Sequence, residues 1–169
     1  IAFAPCNIGG FKLFSIEMHH KKYDQATPGD NIGMSVKGLT KDNMPKNGDV
    51  LFKPSEGQCT AVKSFVAMVS VQDHPGQLKC GFVPIIHVRT SKVACKMTAI
   101  NWKMGKKTGG VKQDSPPFVE RGESAEVVFT PEKPFYLEPF DKTPGMGRIA
   151  VMDSNSLVML GKVNSVEYL

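Results

Sequence analysis

The stretch that decides the fold is Glu17-Met18-His19-His20, followed after a short gap by Pro28-Gly29-Asp30-Asn31-Ile32-Gly33. Both halves alternate between apolar and polar side chains, and a period of two residues is the period of a β-strand. The Pro-Gly-Asp sequence is typical of a turn. The pattern therefore predicts two strands, at residues 11–20 and 31–37, that meet through this turn. Their apolar face would carry Phe14, Ile16, Met18, Ile32, Met34 and Val36.

The opposite face of this small sheet is predicted to be polar. It presents Glu17, His19 and Asn31 to the solvent, because alternate residues of a strand point to opposite sides of the sheet. These side chains offer a carboxylate that accepts hydrogen bonds, a ring that can stack and an amide. The combination favours recognition of a small polar end group over acid–base chemistry.

The composition is that of an ordinary globular protein. In 169 residues, 41% are hydrophobic and 22% are charged, so the chain can form one domain or two small ones. The 16 glycines and 12 prolines indicate many turns. A formal charge of +5 favours polyanionic partners, although many basic proteins bind no nucleic acid.

The four cysteines, Cys6, Cys59, Cys80 and Cys95, show no CxxC spacing. Cys80 and Cys95 lie in strand-like runs, where a free cysteine behaves as a small hydrophobic residue. We interpret this usage as that of a reducing compartment and expect a cytoplasmic protein. Neither a signal peptide nor an apolar run of roughly 18 residues is visible, so no membrane partner is expected.

The rest of the chain predicts further strands and no convincing amphipathic helix. Residues 1–54 would form the end of a first all-β unit, residues 55–60 a linker and residues 61–169 a second all-β unit. The run at residues 78–90 reads as one strand that returns from the turn at Asp73-His74-Pro75-Gly76. Many short strands separated by turns are typical of barrels or sandwiches. In the second unit the apolar residues that recur with a period of two are Phe65, Ala67, Val69, Val71, Ile86, Val88, Val93, Cys95, Met97, Ala125, Val127 and Phe129.

Three possible chemical sites find no support in the sequence. The loop at residues 105–110 is rich in glycine and lysine, but Lys106 follows Gly105 directly, which is not the spacing of a phosphate-binding loop. Its lysines could still contact phosphates from a surface loop. His19 and His20 are adjacent, so on a strand they face opposite ways and cannot share a metal ion without distortion. No nucleophile–base arrangement has local support, so we predict no catalytic residue and no metal site.

The order of motifs resembles the second and third domains of translation elongation factor 1-alpha. The similarity starts with the stretch quoted first and covers nearly the whole chain. Within the family, some segments are more similar to the elongation-factor-like proteins of scattered unicellular eukaryotes, for example Asn43-Met44-Pro45 and Asn101-Trp102-Lys103-Met104-Gly105-Lys106. The matching motifs of the third domain are Asp73-His74-Pro75-Gly76-Gln77, Ala94-Cys95-Lys96, Gly147-Arg148-Ile149-Ala150-Val151 and Gly161-Lys162-Val163.

The resemblance implies two consecutive β-barrels, the first incomplete at its N-terminus. In this family a GTPase domain precedes the barrels, and the complete factor delivers aminoacyl-tRNA to the ribosomal A site. The chain would begin inside the second domain, which agrees with its abrupt apolar start at Ile1. It would therefore lack GTPase activity of its own, and GTP and Mg²⁺ would belong to the GTPase domain alone. The ribosome is an implied partner, and a nucleotide-exchange factor and actin are possible ones.

The resemblance also assigns roles to individual residues. Glu17 matches the carboxylate that accepts from a ribose hydroxyl of the terminal adenosine of tRNA. His19 and Asn31 match positions that line the aminoacyl pocket. His20 matches a neighbouring basic residue that makes a contact near the terminal nucleotide. In the second unit, Arg89, Thr90 and Lys133 match residues that contact the backbone of the acceptor–T arm.

Two departures from the family pattern bear on the final hairpin. Met152 stands where relatives carry arginine, and Ser154 stands where bacterial relatives carry glycine.

Two other classes of function stay open from the sequence. The first is a termination or ribosome-rescue GTPase of the same superfamily, and the second is a non-enzymatic scaffold that binds actin or an exchange factor.

Overall fold

The computed structural model describes residues 1–5, 8–57 and 59–169. Strands account for 49% of the chain and helices for 6%, which confirms the all-β prediction. Cys6 and Gln58, which the sequence predictions included, lie outside the described residues. The strands are β1 Ala2–Ala4, β2 Lys12–Met18, β3 Lys21–Tyr23, β4 Gly33–Lys37, β5 Val50–Phe52, β6 Val62–Val71, β7 Ile85–Val88, β8 Ser91–Met104, β9 Gln113–Asp114, β10 Ser124–Pro131, β11 Arg148–Asp153 and β12 Ser156–Tyr168. The helical elements are α1 Pro144–Gly147 and the 3₁₀ turns Pro54–Glu56 and Lys106–Thr108.

Six strands close into a barrel in the order β6, β12, β11, β7, β8, β10 and back to β6. Every pairing is antiparallel, and β9 adds to β8 outside the ring. The pairing of β10 with β8 closes the ring, so neither of these strands is left as an edge of the barrel.

The interior of the barrel is filled by the residues that the alternation predicts. All twelve residues of this alternation are buried, from fully buried Phe129 and Met97 to Val93 at 9% exposure. The rings of Phe65 and Phe129 stack with centroids 5.5 Å apart. Fully burying a side chain of the size of Val, Ile, Met or Phe stabilises a fold by about 1.5–3 kcal/mol relative to leaving it exposed, so this inner layer is a large favourable contribution to folding.

The prediction of one continuous strand at residues 78–90 is wrong. Only Ile85–Val88 forms a strand, and it pairs with β11 and β8 rather than with β6. Before it the chain turns, with the Phe82 amide donating to the Lys79 carbonyl at 3.1 Å. Cys80 is therefore exposed in a turn, whereas Cys95 is buried in β8 as predicted.

The N-terminal part forms two smaller sheets. β1 pairs with β5, and β2 is the central strand between β3 and β4. The predicted pairing of the first two runs is confirmed, with Glu17 opposite Gly33, whereas β3 was not predicted. The division at residues 55–60 stays a prediction; β5 and β6, which flank it, belong to different sheets.

Phe14 does not lie on the apolar face where alternation placed it. A β-bulge between Leu13 and Ser15 interrupts the register with β4, so Phe14 is 60% exposed. The Lys37 ammonium lies 4.0 Å from the centre of the Phe14 ring, a cation–π contact that covers part of this apolar surface. Leu13, opposite Val36, takes the half-buried position instead.

Candidate functional site

A tight turn leads into Asn31, which lies two residues before β4. The carboxylate of Asp30 accepts hydrogen bonds from the backbone amide of Thr27 at 2.7 Å and from its hydroxyl at 2.9 Å. These bonds lower the pKa of Asp30, the backbone bond contributing most. Gly29 has φ 103° and follows Pro28, the arrangement of a type II turn. The turn thereby fixes where the chain enters β4.

Glu17 lies on the central strand of the three-stranded sheet. It is exposed, and its cross-strand neighbours are Lys22 of β3 and Gly33 of β4. Because Gly33 has no side chain, the surface beside the Glu17 carboxylate is open on the β4 side. This is the outward, polar position that the sequence predicted for Glu17.

His19 and His20 do not continue the strand, so the prediction of a strand that runs to His20 is wrong and β2 ends at Met18. They form the two-residue turn between Met18 and Lys21, with φ of 50° and 63°. A pair of positive φ values matches the twist of a β-hairpin but normally selects Asn or Gly. For a residue with a Cβ the left-handed conformation costs roughly 1–2 kcal/mol. Both rings are exposed at the end of the sheet beside Glu17.

Asn31 lies at the same end of this sheet. It precedes Gly33, the partner of Glu17, by two residues, and antiparallel geometry therefore brings it to the level of the histidine turn. The structure thus gathers Glu17, His19, His20 and Asn31, all exposed, at one end of one sheet. We call these residues the terminal patch.

The other predicted residues gather at one end of the barrel. Arg89 and Thr90 form the two-residue turn between Val88 and Ser91, and Arg89 has φ 54°. Lys133 follows the end of β10, where Pro131 pairs with Cys95 of β8. Because β8 and β10 are antiparallel, the first residues of β8 and the last of β10 lie at the same end. The terminal patch and this end of the barrel belong to different sheets.

A hydrogen-bonded loop that the sequence did not indicate lies against Arg89 through Gly145. One carboxylate oxygen of Glu138 accepts from the Tyr136 hydroxyl and the Lys142 ammonium, both at 2.6 Å, and the other accepts from the Thr143 hydroxyl. This network precedes α1, where Gly145 lies against the Arg89 guanidinium. A Cβ at Gly145 would be 3.2 Å from an Arg89 nitrogen.

The network also sets the ionisation of its members. Burial alone would raise the pKa of Glu138, but the hydrogen bonds from Lys142, Thr143 and Tyr136 outweigh it and lower the pKa. Burial, followed by the bond to Glu138, raises the pKa of Tyr136. The carboxylate is therefore held charged and the phenol protonated. The only signal in the sequence is the i,i+4 spacing of Glu138 and Lys142, which is weak outside a helix.

The loop at residues 105–110 is a compact turn. Its 3₁₀ segment is closed by the Thr108 hydroxyl, which accepts from the Gly105 amide at 3.0 Å. The next regular element is the short strand β9, whereas a phosphate-binding loop leads into a helix. Among the residues that the structure describes, no group of three or more His, Cys, Asp or Glu side chains could hold a metal ion. In the same residues no helix is long and apolar enough to cross a membrane.

A family model described as "GTP-eEF1A C-terminal domain-like" matches residues 64–164, more than half of the chain. The chain belongs to this elongation factor 1-alpha family. The matched residues include five strands of the barrel entirely or in large part and most of β6. This confirms the resemblance stated from the sequence motifs. Whether the chain belongs to the elongation-factor-like subfamily stays a prediction.

Curated relatives extend the match to the N-terminal sheets. The chain is 39% identical over 167 residues to elongation factor 1-alpha of Methanocorpusculum labreanum, 38% over 167 residues to that of Methanosarcina mazei and 40% over 167 residues to that of Ignicoccus hospitalis. Each alignment covers 99% of this chain but only 37–39% of the relative. The chain therefore spans less than half the length of these elongation factors.

A solved structure shows the same fold at lower identity. The crystal structure of sup35 complexed with GMPPNP superposes with a TM-score of 0.86 at 21% identity, covering 98% of this chain and 40% of that one. The arrangement of small sheets followed by a closed barrel is thus shared with a member of this fold that has diverged widely in sequence.

Proposed function

We propose that this chain is the tRNA-binding C-terminal part of a GTP-dependent translation elongation factor that delivers aminoacyl-tRNA to the ribosomal A site. The observation that carries the proposal is the terminal patch. Its two histidines occupy strained positive-φ positions beside exposed Glu17 and Asn31. Strained backbone at an exposed turn is characteristic of functional sites. Membership of the elongation factor 1-alpha family supports the same function.

Each group has a part in holding the aminoacylated end of tRNA. The Glu17 carboxylate accepts a hydrogen bond from a ribose hydroxyl of the terminal adenosine. The exposed His19 and His20 rings offer faces for stacking, the usual way in which proteins hold unpaired RNA bases. The Asn31 amide supplies both a donor and an acceptor for the aminoacyl ester. Uncharged tRNA has a free hydroxyl in place of the aminoacyl ester, so its hydrogen bonds with these groups would be different.

The barrel end would hold the double-helical arm of the same tRNA. Arg89, Thr90 and Lys133 are exposed, and contacts of this kind to phosphates fix position without reading sequence. This suits a carrier of every elongator tRNA. In the complete protein, GTP and Mg²⁺ would bind the GTPase domain, and we infer a cytoplasmic protein whose partners are aminoacyl-tRNA, the ribosome and a nucleotide-exchange factor.

The test is the ratio of dissociation constants for charged and uncharged tRNA. Removing the side chain in Glu17→Ala or Asn31→Ala should weaken the binding of charged tRNA by about 1–3 kcal/mol, the cost of leaving a buried polar partner unpaired. Uncharged tRNA, held mainly by phosphate contacts, should be affected less. The free energy of unfolding of each variant, followed by thermal unfolding, should change by about half a kcal/mol or less, since both residues are on the surface.

Glu56→Ala is the matched control. Glu56 is also an exposed carboxylate, but it lies in the 3₁₀ turn and pairs with Lys53, so the ratio should not change. An unchanged ratio in well-folded Glu17 and Asn31 variants would refute the assignment of the terminal patch and favour a scaffold that binds actin or an exchange factor. A large loss of melting temperature would mean that these side chains support the sheet instead.

A further inference from the structure

The turn that leads into β5 contains the only Asn-Gly pair of the sequence, Asn47-Gly48. The turn is closed by the Asp49 amide, which donates to the Lys46 carbonyl at 3.0 Å, and the Asp49 carboxylate accepts in return from the Lys46 amide at 2.8 Å. Asn47 is exposed. Within the described residues, neither the Asn47 side chain nor the Gly48 amide makes a hydrogen bond. Both groups are therefore available for a reaction with each other.

Glycine after asparagine favours one such reaction. Asparagine is among the thermolabile residues, because the backbone nitrogen of the next residue can attack its side-chain carbonyl and close a succinimide ring. A Cβ on that next residue obstructs the approach, and Gly48 has none. Gly48 also has φ 99°, in the left-handed region that favours glycine. The turn therefore requires the residue that makes Asn47 reactive, and it exposes the pair to water.

We propose that Asn47 is a site of spontaneous deamidation, which converts its amide to a carboxylate through the succinimide. The Gly48 nitrogen bonds to the Asn47 Cγ, and the bond from Cγ to the side-chain nitrogen breaks. That nitrogen leaves as ammonia, with the proton that the Gly48 amide has lost. Water then adds its hydroxyl to one of the two ring carbonyls and returns a proton to the Gly48 nitrogen. No atom is oxidised or reduced.

The ring can open in two ways. When water adds at Cγ, the product is aspartate in an unchanged backbone. When water adds at the backbone carbonyl of Asn47, the product is isoaspartate, in which the main chain runs through the former side chain. This second product is longer by one CH₂ group, or about 1.5 Å.

The longer product does not fit the contact that Gly48 makes with the barrel. A Cβ at Gly48 would lie 2.7 Å from the Ser91 Cα and 2.8 Å from the Ser91 Cβ, so the backbone of the turn lies directly on the first residue of β8. Ser91 is only 7% exposed and directly follows the Arg89-Thr90 turn. Isoaspartate at position 47 should therefore lift the turn from Ser91 and loosen the packing of the N-terminal sheets on the barrel.

Ageing of the folded chain in mildly alkaline buffer tests the site. Mass spectrometry of the peptide that begins at Asn47 should show progressive replacement of the amide by a carboxylate, and an isoaspartyl methyltransferase should label the same peptide. Asn155 is the matched control in the same molecule. It is exposed in the two-residue turn between Asp153 and Ser156, but serine follows it, so its amide should persist while that of Asn47 is lost.

Two outcomes would overturn the assignment. The folded turn protects Asn47 if the amide survives in the folded chain and is lost over the same period only in urea. Glycine has no part in the reaction if Asn155 is converted as fast as Asn47.

The melting temperature tests the consequence for the fold. It should fall as the wild type ages, whereas Asn47→Gln, which keeps an exposed amide but must close a larger ring, should not change. An unchanged melting temperature in a fully converted chain would show that the turn stays on Ser91. The inference does not depend on the proposed function, since none of these measurements involves tRNA.

Discussion

Lys103 and Glu123 form a buried ion pair. The Lys103 ammonium lies 3.1 Å from a Glu123 oxygen, and the two residues are only 5% and 2% exposed. The same oxygen accepts from the backbone amide of Glu120 at 2.8 Å. The ammonium also lies 4.3 Å from the centre of the Phe118 ring. The pair joins β8 to the turn that enters β10.

Removing either partner should therefore be costly. Glu123→Ala leaves the Lys103 charge buried without its partner, and breaking a buried pair in this way costs about 3–5 kcal/mol. That is a large part of the roughly 5–15 kcal/mol by which a domain is usually stable. Lys103→Met leaves the buried carboxylate with the Glu120 amide as its remaining donor, and the expected cost is of similar order.

Replacing both partners by apolar residues should restore most of the stability. In Lys103→Met/Glu123→Leu no charge remains to be desolvated, and such replacements are often neutral or stabilising by about 1–4 kcal/mol. Urea unfolding at neutral pH measures all three variants, with the slope of the transition as a check that the unfolded states are comparable. Single variants that each cost under about 1 kcal/mol, or a double variant as unstable as the sum of the singles, would refute this reasoning.

Two further predictions concern titratable groups. The pKa of Glu138 is lowered in the folded protein, so its contribution to stability is present above the ordinary carboxyl pKa of about 4.3 and is lost as the pH falls through the folded value. Acid should therefore lower the free energy of unfolding of the wild type more than that of Glu138→Gln. Parallel plots of the free energy of unfolding against pH for the two proteins would contradict this. Burial, followed by the charge of Glu132, raises the pKa of the Cys95 thiol to about 12. A thiol reagent at pH 8 should therefore label exposed Cys80 in the folded protein and Cys95 only after unfolding, with Cys80→Ser as the control. Rapid labelling of Cys95 in the native state would show that the barrel opens.

The sequence predicts the barrel well because its strands have one solvent-exposed face and one buried face. Phe65, Ala67 and Val69 alternate with exposed or half-buried neighbours along β6, and the same period runs through the first half of β8, up to Met97, and along β10. Prediction fails where the strand itself is irregular. The bulge at Phe14 shifts the alternation by one residue, and alternation alone gives no sign of a bulge.

Contacts between distant residues are a second reason for failure. Lys103 and Glu123 are 20 residues apart, so nothing in the local pattern distinguishes them from surface charges until the fold brings them together. For the candidate site the outcome is mixed. Alternation placed Glu17 outward correctly, but it treated His19 as a strand residue, because a two-residue turn made of histidines lacks the Asn-Gly signal that usually marks such a turn.

The positions of the proposed contacts follow from closure of the barrel. A closed ring with a filled interior leaves only outward-facing strand residues and connecting turns available to a partner. Arg89, Thr90 and Lys133 are exposed at turns or bends, so all three can change without disturbing the core that holds them. The three-stranded sheet obeys the same rule, since His19 and His20 occupy a turn that a glycine would tolerate with less strain. We therefore expect these histidines to serve the proposed contact with tRNA rather than the stability of the turn.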